Sequence, residues 1–347
     1  MRALVAAAIS MFALSPLAGA APASQVPFVA GLTTVNAVIT PSGDYESVEV
    51  VDRIAADGVT LIRSGEAPDD SGEVREITVT RKVSNEDRRH SRTLRIYFHE
   101  SDPLEFPGTT PSPSAAMVED LRAGGKTAVI YLDVVPEFGV TMVERTLSGF
   151  LTRVDSAPVD MSVLVNGRLE VLHAWHTTGH LSESGDGDDF EFYILDDPEN
   201  PLVLRWKGAD VSSSVLRIEF PGDSSNSLER SLAEDRHALI YGIYFEFARA
   251  DIRKVSERTL KEIAAVLQKH PDWKLNVAGH TDGIGAAAAN LDLSRHRAQS
   301  VKAALVSRYG IAPERLTTSG YGASQPQDRN DTAAGRARNR RVELTRP

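Results

Sequence analysis

Two side chains of opposite charge, Asp282 and Arg297, lie in the stretch 279–297, which reads GHTDGIGAAAANLDLSRHR. Asp282 falls in the loop that follows an apolar, strand-like run at 274–278. Arg297 falls in the early turns of an amphipathic helix expected to begin near Asn290. A carboxylate accepts hydrogen bonds from an ammonium group, and a guanidinium grips a carboxylate through two parallel donors. Held apart on two elements, the pair suits a zwitterionic ligand carrying both groups. The alternative is that the two close on each other across the loop, as charged residues at loop–helix junctions commonly do.

The surrounding sequence reads as an alternating α/β unit. Residues 240–247 form an apolar strand-like run, and 255–268 place Leu260, Ile263, Ala264 and Leu267 on one helical face. His270-Pro271 ends that helix, because a residue preceding proline avoids the helical region. Strand 274–278 follows, then a helix over 290–309 that buries Leu293, Val301 and Leu305 and stops at Gly310. Strands at 315–319 and 341–345 complete a β-α-β-α-β order with one added strand. Arg340 and Arg341 lie on that terminal strand-like run, where alternate residues face opposite ways, so only one of them is expected to face the site.

The spacing extends well beyond the charged pair. His280-Thr281-Asp282 is followed by Gly285, Asn290, Leu293-Ser294, Arg297-Ala298 and Val301, then Gly320-Tyr321-Gly322, Pro326 and Asn339-Arg340-Arg341-Val342-Glu343. In that order the chain from about 240 to 347 resembles the OmpA-like C-terminal domain shared by OmpA, Pal and MotB proteins. Agreement at this many separated positions is far more specific than a lone glycine motif. The resemblance implies a non-catalytic module that binds peptidoglycan by holding the diaminopimelate of its stem peptide. The family's ligand-binding aspartate and arginine fall on Asp282 and Arg297. Asn290 and Thr281 match supporting positions, and Arg340 matches a further basic contact. Read from residue type alone, Asn290 either caps the helix or touches ligand, and Thr281 either touches ligand or ties the loop. His280 has no second metal-ligand pattern near it and reads as a hydrogen-bonded structural histidine. Ala248 departs from the family pattern, in which many relatives carry Asn or Asp.

Residues 25–221 carry a different signature. Short runs at 76–80, 93–98, 127–134, 161–165, 169–175, 190–195, 202–206 and 215–220 read as antiparallel strands, several alternating apolar and polar residues. Asn166-Gly167 supplies the two positive-φ positions of a type I′ hairpin turn. A mainly antiparallel β domain, sandwich or small barrel, is expected, with one short helix over 114–123. The whole chain is therefore α+β. The proline-rich segment 101–114 reads as a surface loop. Residues 222–239 read as linker and lead-in helix, with 222–227 flexible. His173, His176 and His180 raise the possibility of zinc, but on a continuing strand His173 and His176 face opposite ways. The acidic run 183–189 lacks the spacing of a calcium loop and reads as a solvated hairpin turn. No cofactor motif and no common catalytic motif occurs.

The chain has 347 residues, enough for two domains, with a net charge of −10 and no cysteine. Its charge is uneven: residues 237–347 hold 18 Lys and Arg against 11 Asp and Glu, so the remainder is strongly acidic. A basic C-terminal part suits an anionic polymer, whereas no basic run interleaved with aromatics argues for nucleic acid. Met1-Arg2, the apolar run 4–14 and Ala18-Gly19-Ala20 read as a secretory signal peptide over 1–20. Without cysteine, neither a disulfide nor a lipid-bearing N-terminal cysteine is expected. No later apolar stretch has the length of a membrane-spanning helix, which counts against a MotB-like stator part. The expected protein is periplasmic, a location compatible with association with the outer membrane, with peptidoglycan as ligand and an envelope protein as the partner for the β domain. The competing expectation is a wall-targeted enzyme whose activity lies in that β domain. An outer-membrane barrel fits less well, given 6% aromatic residues and charged strands.

Overall fold

The computed structural model describes residues 26–68, 74–97, 108–137, 140–183, 185–221, 224–245, 249–253 and 256–347. The expected signal peptide, the middle of the proline-rich segment and Ala248 lie outside them.

The N-terminal region is built on long strands. In chain order these are β1 (Thr33–Thr40), β2 (Gly43–Ile54), β3 (Gly58–Pro68), β4 (Val74–Ser84), β5 (Thr93–Tyr97), β6 (Thr109–Thr110), β7 (Lys126–Glu137), β8 (Val140–Arg153), β9 (Val159–Val165), β10 (Arg168–Glu183), β11 (Asp186–Leu195), β12 (Val203–Gly208) and β13 (Val211–Glu219). Helices α1 (Asn85–His90) and α2 (Ala115–Arg122) interrupt them. Among the described residues all thirteen strands join one sheet, in the order β4-β3-β2-β1-β13-β12-β11-β10-β8-β7-β5-β6. Strand β9 pairs with both β10 and β13, so β9 to β13 close into a five-stranded ring. Of the sandwich and the small barrel expected, the sheet takes the barrel form. One continuous sheet closes part of itself into a small barrel, because β13 offers one edge to β1 and the other to β12 and β9.

Local chemistry explains several of these elements. Asn166 (φ 46°) and Gly167 (φ 78°) form the β9–β10 turn with Val165 opposite Arg168, as an Asn-Gly pair favours. Ser114 caps α2, its hydroxyl accepting from the Met117 amide at 3.1 Å, and the helix buries Met117, Val118 and Leu121. Strands β1 to β3 and β8 carry too many charged or small residues to stand out by alternation. Val51 of β2 and Val59 and Leu61 of β3 are nonetheless buried in a core shared with the ring.

The C-terminal region continues with α3 (Ser224–Glu234), β14 (His237–Ile240), α4 (Glu257–Lys269), β15 (Leu275–His280), α5 (Ala287–Tyr309), β16 (Leu316–Gly322), α6 (Ala333–Asn339) and β17 (Val342–Thr345). Its sheet runs β14-β17-β15-β16, with only β15 and β16 parallel. Leu260, Ile263, Leu267, Val301 and Leu305 bury one face of α4 and α5 against Leu275, Val277 and Leu344. Gly310 ends α5 in the left-handed conformation at φ 69°.

Four expectations need correction. Residues 241–245 leave the strand: the Ser256 hydroxyl bonds both the amide and carbonyl of Tyr244, diverting the backbone from sheet pairing. Helix α3 begins at Ser224, inside the stretch expected to be flexible. Helix α5 starts at Ala287 rather than near Asn290, because Ala286 to Ala289 are strong helix formers. Arg340 is the C-cap of α6 and not a strand residue.

Candidate functional site

Asp282 follows the C-terminal end of β15 and is fixed by its own loop. One carboxylate oxygen accepts from the Ile284 amide at 3.0 Å, an Asx-type turn. The Asp282 carbonyl accepts from the Thr281 hydroxyl at 2.9 Å and from the Asn290 side-chain amide at 3.3 Å. Asn290 also donates to the Ile284 carbonyl at 2.9 Å. Both residues are buried and tie the loop. The expected capping role of Asn290 does not hold, since it lies inside the first turn of α5 and its amide reaches the Ala286 carbonyl.

Close approach of α5 to the sheet sets the spacing between Asp282 and Arg297. A Cβ on Gly279 would lie 2.2 Å from the Ser294 carbonyl oxygen, so only glycine lets the helix settle there. The Ser294 hydroxyl then accepts from the Gly322 amide at 2.9 Å, pinning β16 to the same turn. Three residues on, Arg297 donates through Nε to the Arg249 carbonyl at 3.0 Å and lays its guanidinium 4.9 Å from the Phe245 ring centre. Burial first, and the neighbouring Arg340 second, lower its pKa to about 10, with Asp282 and Glu46 opposing.

The ion pairs of the described residues do not join Asp282 to Arg297. Instead Arg340 donates through Nη1 to the other Asp282 oxygen at 2.8 Å. The opposite edge of the same guanidinium, Nε and Nη2, holds the Glu46 carboxylate of β2, with Nε at 3.2 Å. Burial alone would lower the Arg340 pKa; Glu46 and Asp282 more than offset it and raise it. Asp282, Arg297, Arg340 and Glu46 therefore form one electrostatic cluster, and the first three are residues expected from sequence. Glu46 is separated from Arg340 by 294 positions, and no local pattern in the sequence marks it.

Beneath this cluster lies a second one. Arg341 is buried and pairs with Glu343, its Nε donating at 2.8 Å, and Glu343 also bonds His237 at 3.0 Å. Arg340 and Arg341 thus do point to different places, although through a helix cap rather than strand alternation. His280 is 2% exposed, and among the described residues neither ring nitrogen makes a hydrogen bond, Nε2 lying 3.5 Å from the Glu343 carboxylate, which corrects the expected hydrogen-bonded role. It stacks on Tyr321 with centroids 5.2 Å apart. Burial first, then the charge of Arg341, lower its pKa to about 4. Asn339, fully buried, receives the amides of Gln327 and Asp328 and donates to Asn330, whose side chain receives the Gly283 amide. This polar knot braces the Asp282 loop from behind.

The N-terminal histidines are each held by carboxylates. His173 bonds Asp160, His180 bonds Asp189, and His176 bonds Asp155 and Glu191 while stacking on Tyr193 at 4.6 Å. The acidic run 183–189 forms the β10–β11 hairpin, with Glu183 opposite Asp186. No helix among the described residues is long and apolar enough to cross a membrane.

Comparison with known proteins falls on this C-terminal region. Residues 244–340 match the OmpA family, and that stretch is an OmpA-family domain. The outer membrane porin F of Pseudomonas fluorescens is 45% identical over 103 residues, 30% of this chain and 31% of the porin. The probable lipoprotein YiaD of Escherichia coli K12 is 39% identical over 136 residues, 39% of this chain and 61% of the lipoprotein. The peptidoglycan-binding protein ArfA of Mycobacterium bovis is 40% identical over 85 residues, 24% of this chain and 26% of that protein. The chain thus spans from about a quarter to three-fifths of these relatives' lengths.

Proposed function

We propose that the OmpA-family domain of this protein binds peptidoglycan and anchors the chain to the cell wall in the envelope, without cleaving its ligand. Arg297 carries the reading. Its guanidinium is partly buried beside Asp282 and Arg340, yet among the described residues its bonds go to a backbone carbonyl and an aromatic face and not to a carboxylate. A partly buried cation in that state favours an incoming anion.

The ligand proposed is the amino-acid end of diaminopimelate in the stem peptide. Its carboxylate docks on Arg297. Its ammonium donates to Asp282, where each carboxylate oxygen carries one hydrogen bond and keeps a further lone pair. Thr281 and Asn290 act by holding the loop rather than by touching ligand. Arg340 sets the charge of the cleft. The named peptidoglycan binding of the ArfA relative supports this assignment, as does the net positive charge of residues 237–347. The N-terminal sheet contributes no catalytic role to this reading and is proposed to meet an envelope partner.

Co-sedimentation with purified sacculi tests it. Wild-type protein is expected in the pellet, and Asp282→Ala and Arg297→Ala in the supernatant. Pelleting of both variants at wild-type levels would remove the assignment.

A further inference from the structure

The site is not built from the OmpA-family domain alone. Strand β2 of the N-terminal sheet delivers Glu46 to Arg340, and this contact is one of several between the two regions. Arg217 of β13 bonds Glu219 at 3.0 Å and the Tyr244 hydroxyl. Arg253 meets Glu66 of β3 at 3.3 Å, and Arg258 donates to the Gly31 carbonyl at 2.9 Å. Ala337 of α6 packs with Val35, Ala37, Val48 and Leu216 in one apolar cluster. The sheet face carrying β1, β2 and β13 is therefore seated beside the cleft.

How Glu46 engages Arg340 matters most. A guanidinium offers two edges to a carboxylate, Nε with Nη2 and Nη1 with Nη2. Glu46 takes the first, its Oε1 accepting from both Nε and Nη2, and leaves Nη1 to Asp282. Arg340 does not need Glu46 to find its place, because its amide closes the last turn of α6 on the Arg336 carbonyl and Asp282 holds its tip. Glu46 thus stands where a ligand carboxylate would stand on the second cation of the cleft, while Arg297 bonds no carboxylate among the described residues.

We infer that Glu46 is an internal competitor for the ligand carboxylate, so that the Glu46–Arg340 contact and peptidoglycan binding oppose each other. This inference rests on the binding assignment proposed above. When ligand arrives, its carboxylate takes both guanidinium groups only as Glu46 withdraws. By linkage, ligand loosens the Glu46–Arg340 contact by the same factor by which removing that contact tightens ligand binding.

The test is calorimetric titration of meso-diaminopimelate into the full chain, with sacculus co-sedimentation alongside. Glu46→Gln keeps the shape and removes the charge, and it is expected to bind at least about fivefold tighter than wild type. Glu66→Gln removes a carboxylate from the Arg253 contact and is expected to match wild type. Equal or weaker binding by Glu46→Gln overturns the inference, since it makes Glu46 idle or a support for Arg340. Equal tightening by Glu66→Gln also overturns it, since loosening of the seam would then suffice without competition at Arg340. If neither wild type nor Glu46→Gln binds either probe, the binding assignment itself fails. If wild type binds but Glu46→Gln gains nothing, only the competition fails.

Discussion

The histidine-bearing β10 strand and the cleft beside α5 both concentrate ionisable groups, and they treat them in opposite ways. On β10, His173, His176 and His180 each meet carboxylates from the same sheet. In the cleft, Arg340 is shared between two carboxylates, while among the described residues Arg297 bonds none. Charge density is therefore a poor guide to a binding site. A partly buried cation whose demand for an anion is unmet is a better one.

Four measurements can break or sharpen this contrast. The largest effect is expected on binding. Arg297→Ala and Asp282→Ala should each cost about 2–5 kcal/mol of affinity for sacculi, as loss of one member of a buried charge contact does. His173→Ala and His180→Ala should leave affinity unchanged, and a comparable loss in either would erase the distinction.

Next comes the acid response of the C-terminal region. In the unfolded chain the His280 imidazole takes a proton below its ordinary 6.5, whereas in the fold it does so only below about 4. Stability is thus fully present above the first value and falls as pH drops toward the second, by about 3 kcal/mol at most. Glu343, held below its usual range because bonds to His237 and Arg341 outweigh burial, loses its contribution as pH falls through its own folded value. Urea midpoints between pH 7 and pH 4 should show the drop, and His280→Gln should flatten most of it.

Smaller again is the cost of overpacking the helix seat. Gly279→Ala places a methyl against the Ser294 carbonyl and should cost about 1–3 kcal/mol in thermal unfolding. An unchanged midpoint would mean that α5 is not clamped to β15. The smallest effect belongs to β10. His176→Gln breaks two carboxylate contacts at a partly exposed site and should cost less than about 1 kcal/mol.

Legibility differed between the regions for physical reasons. Helices α4 and α5 follow from one-sided apolar periodicity, and the Gly310 stop follows from backbone sterics, so sequence alone places them within a few residues. Asp282, Arg297 and Arg340 stand out by residue type and spacing. Helix α6 does not, because it has only seven residues and packs Ala337 against strands some 300 positions earlier. Strands β2 and β3 resist detection because charged residues such as those of VEVVDRI interrupt their alternation, and β1 because its buried residues come in adjacent pairs, Thr34-Val35 and Ala37-Val38. The same distance hides Glu46, since a strand residue carries no mark of the helix cap it meets. The onset of α5 was misplaced because a run of alanines continues a helix past the polar residue that looks like its cap.

The strand pairing also shapes how the chain must assemble. Strand β1 finds its second neighbour, β13, only after the chain has passed residue 211, and the ring closes through just Arg217 opposite Leu164 and Ile218 opposite Val165. Such high contact order makes the entropy of long loops a leading part of the barrier. On a ribosome or translocon the outer edge of β1 therefore waits unpaired through the making of a dozen elements, a window in which a chaperone that masks strand edges would matter most.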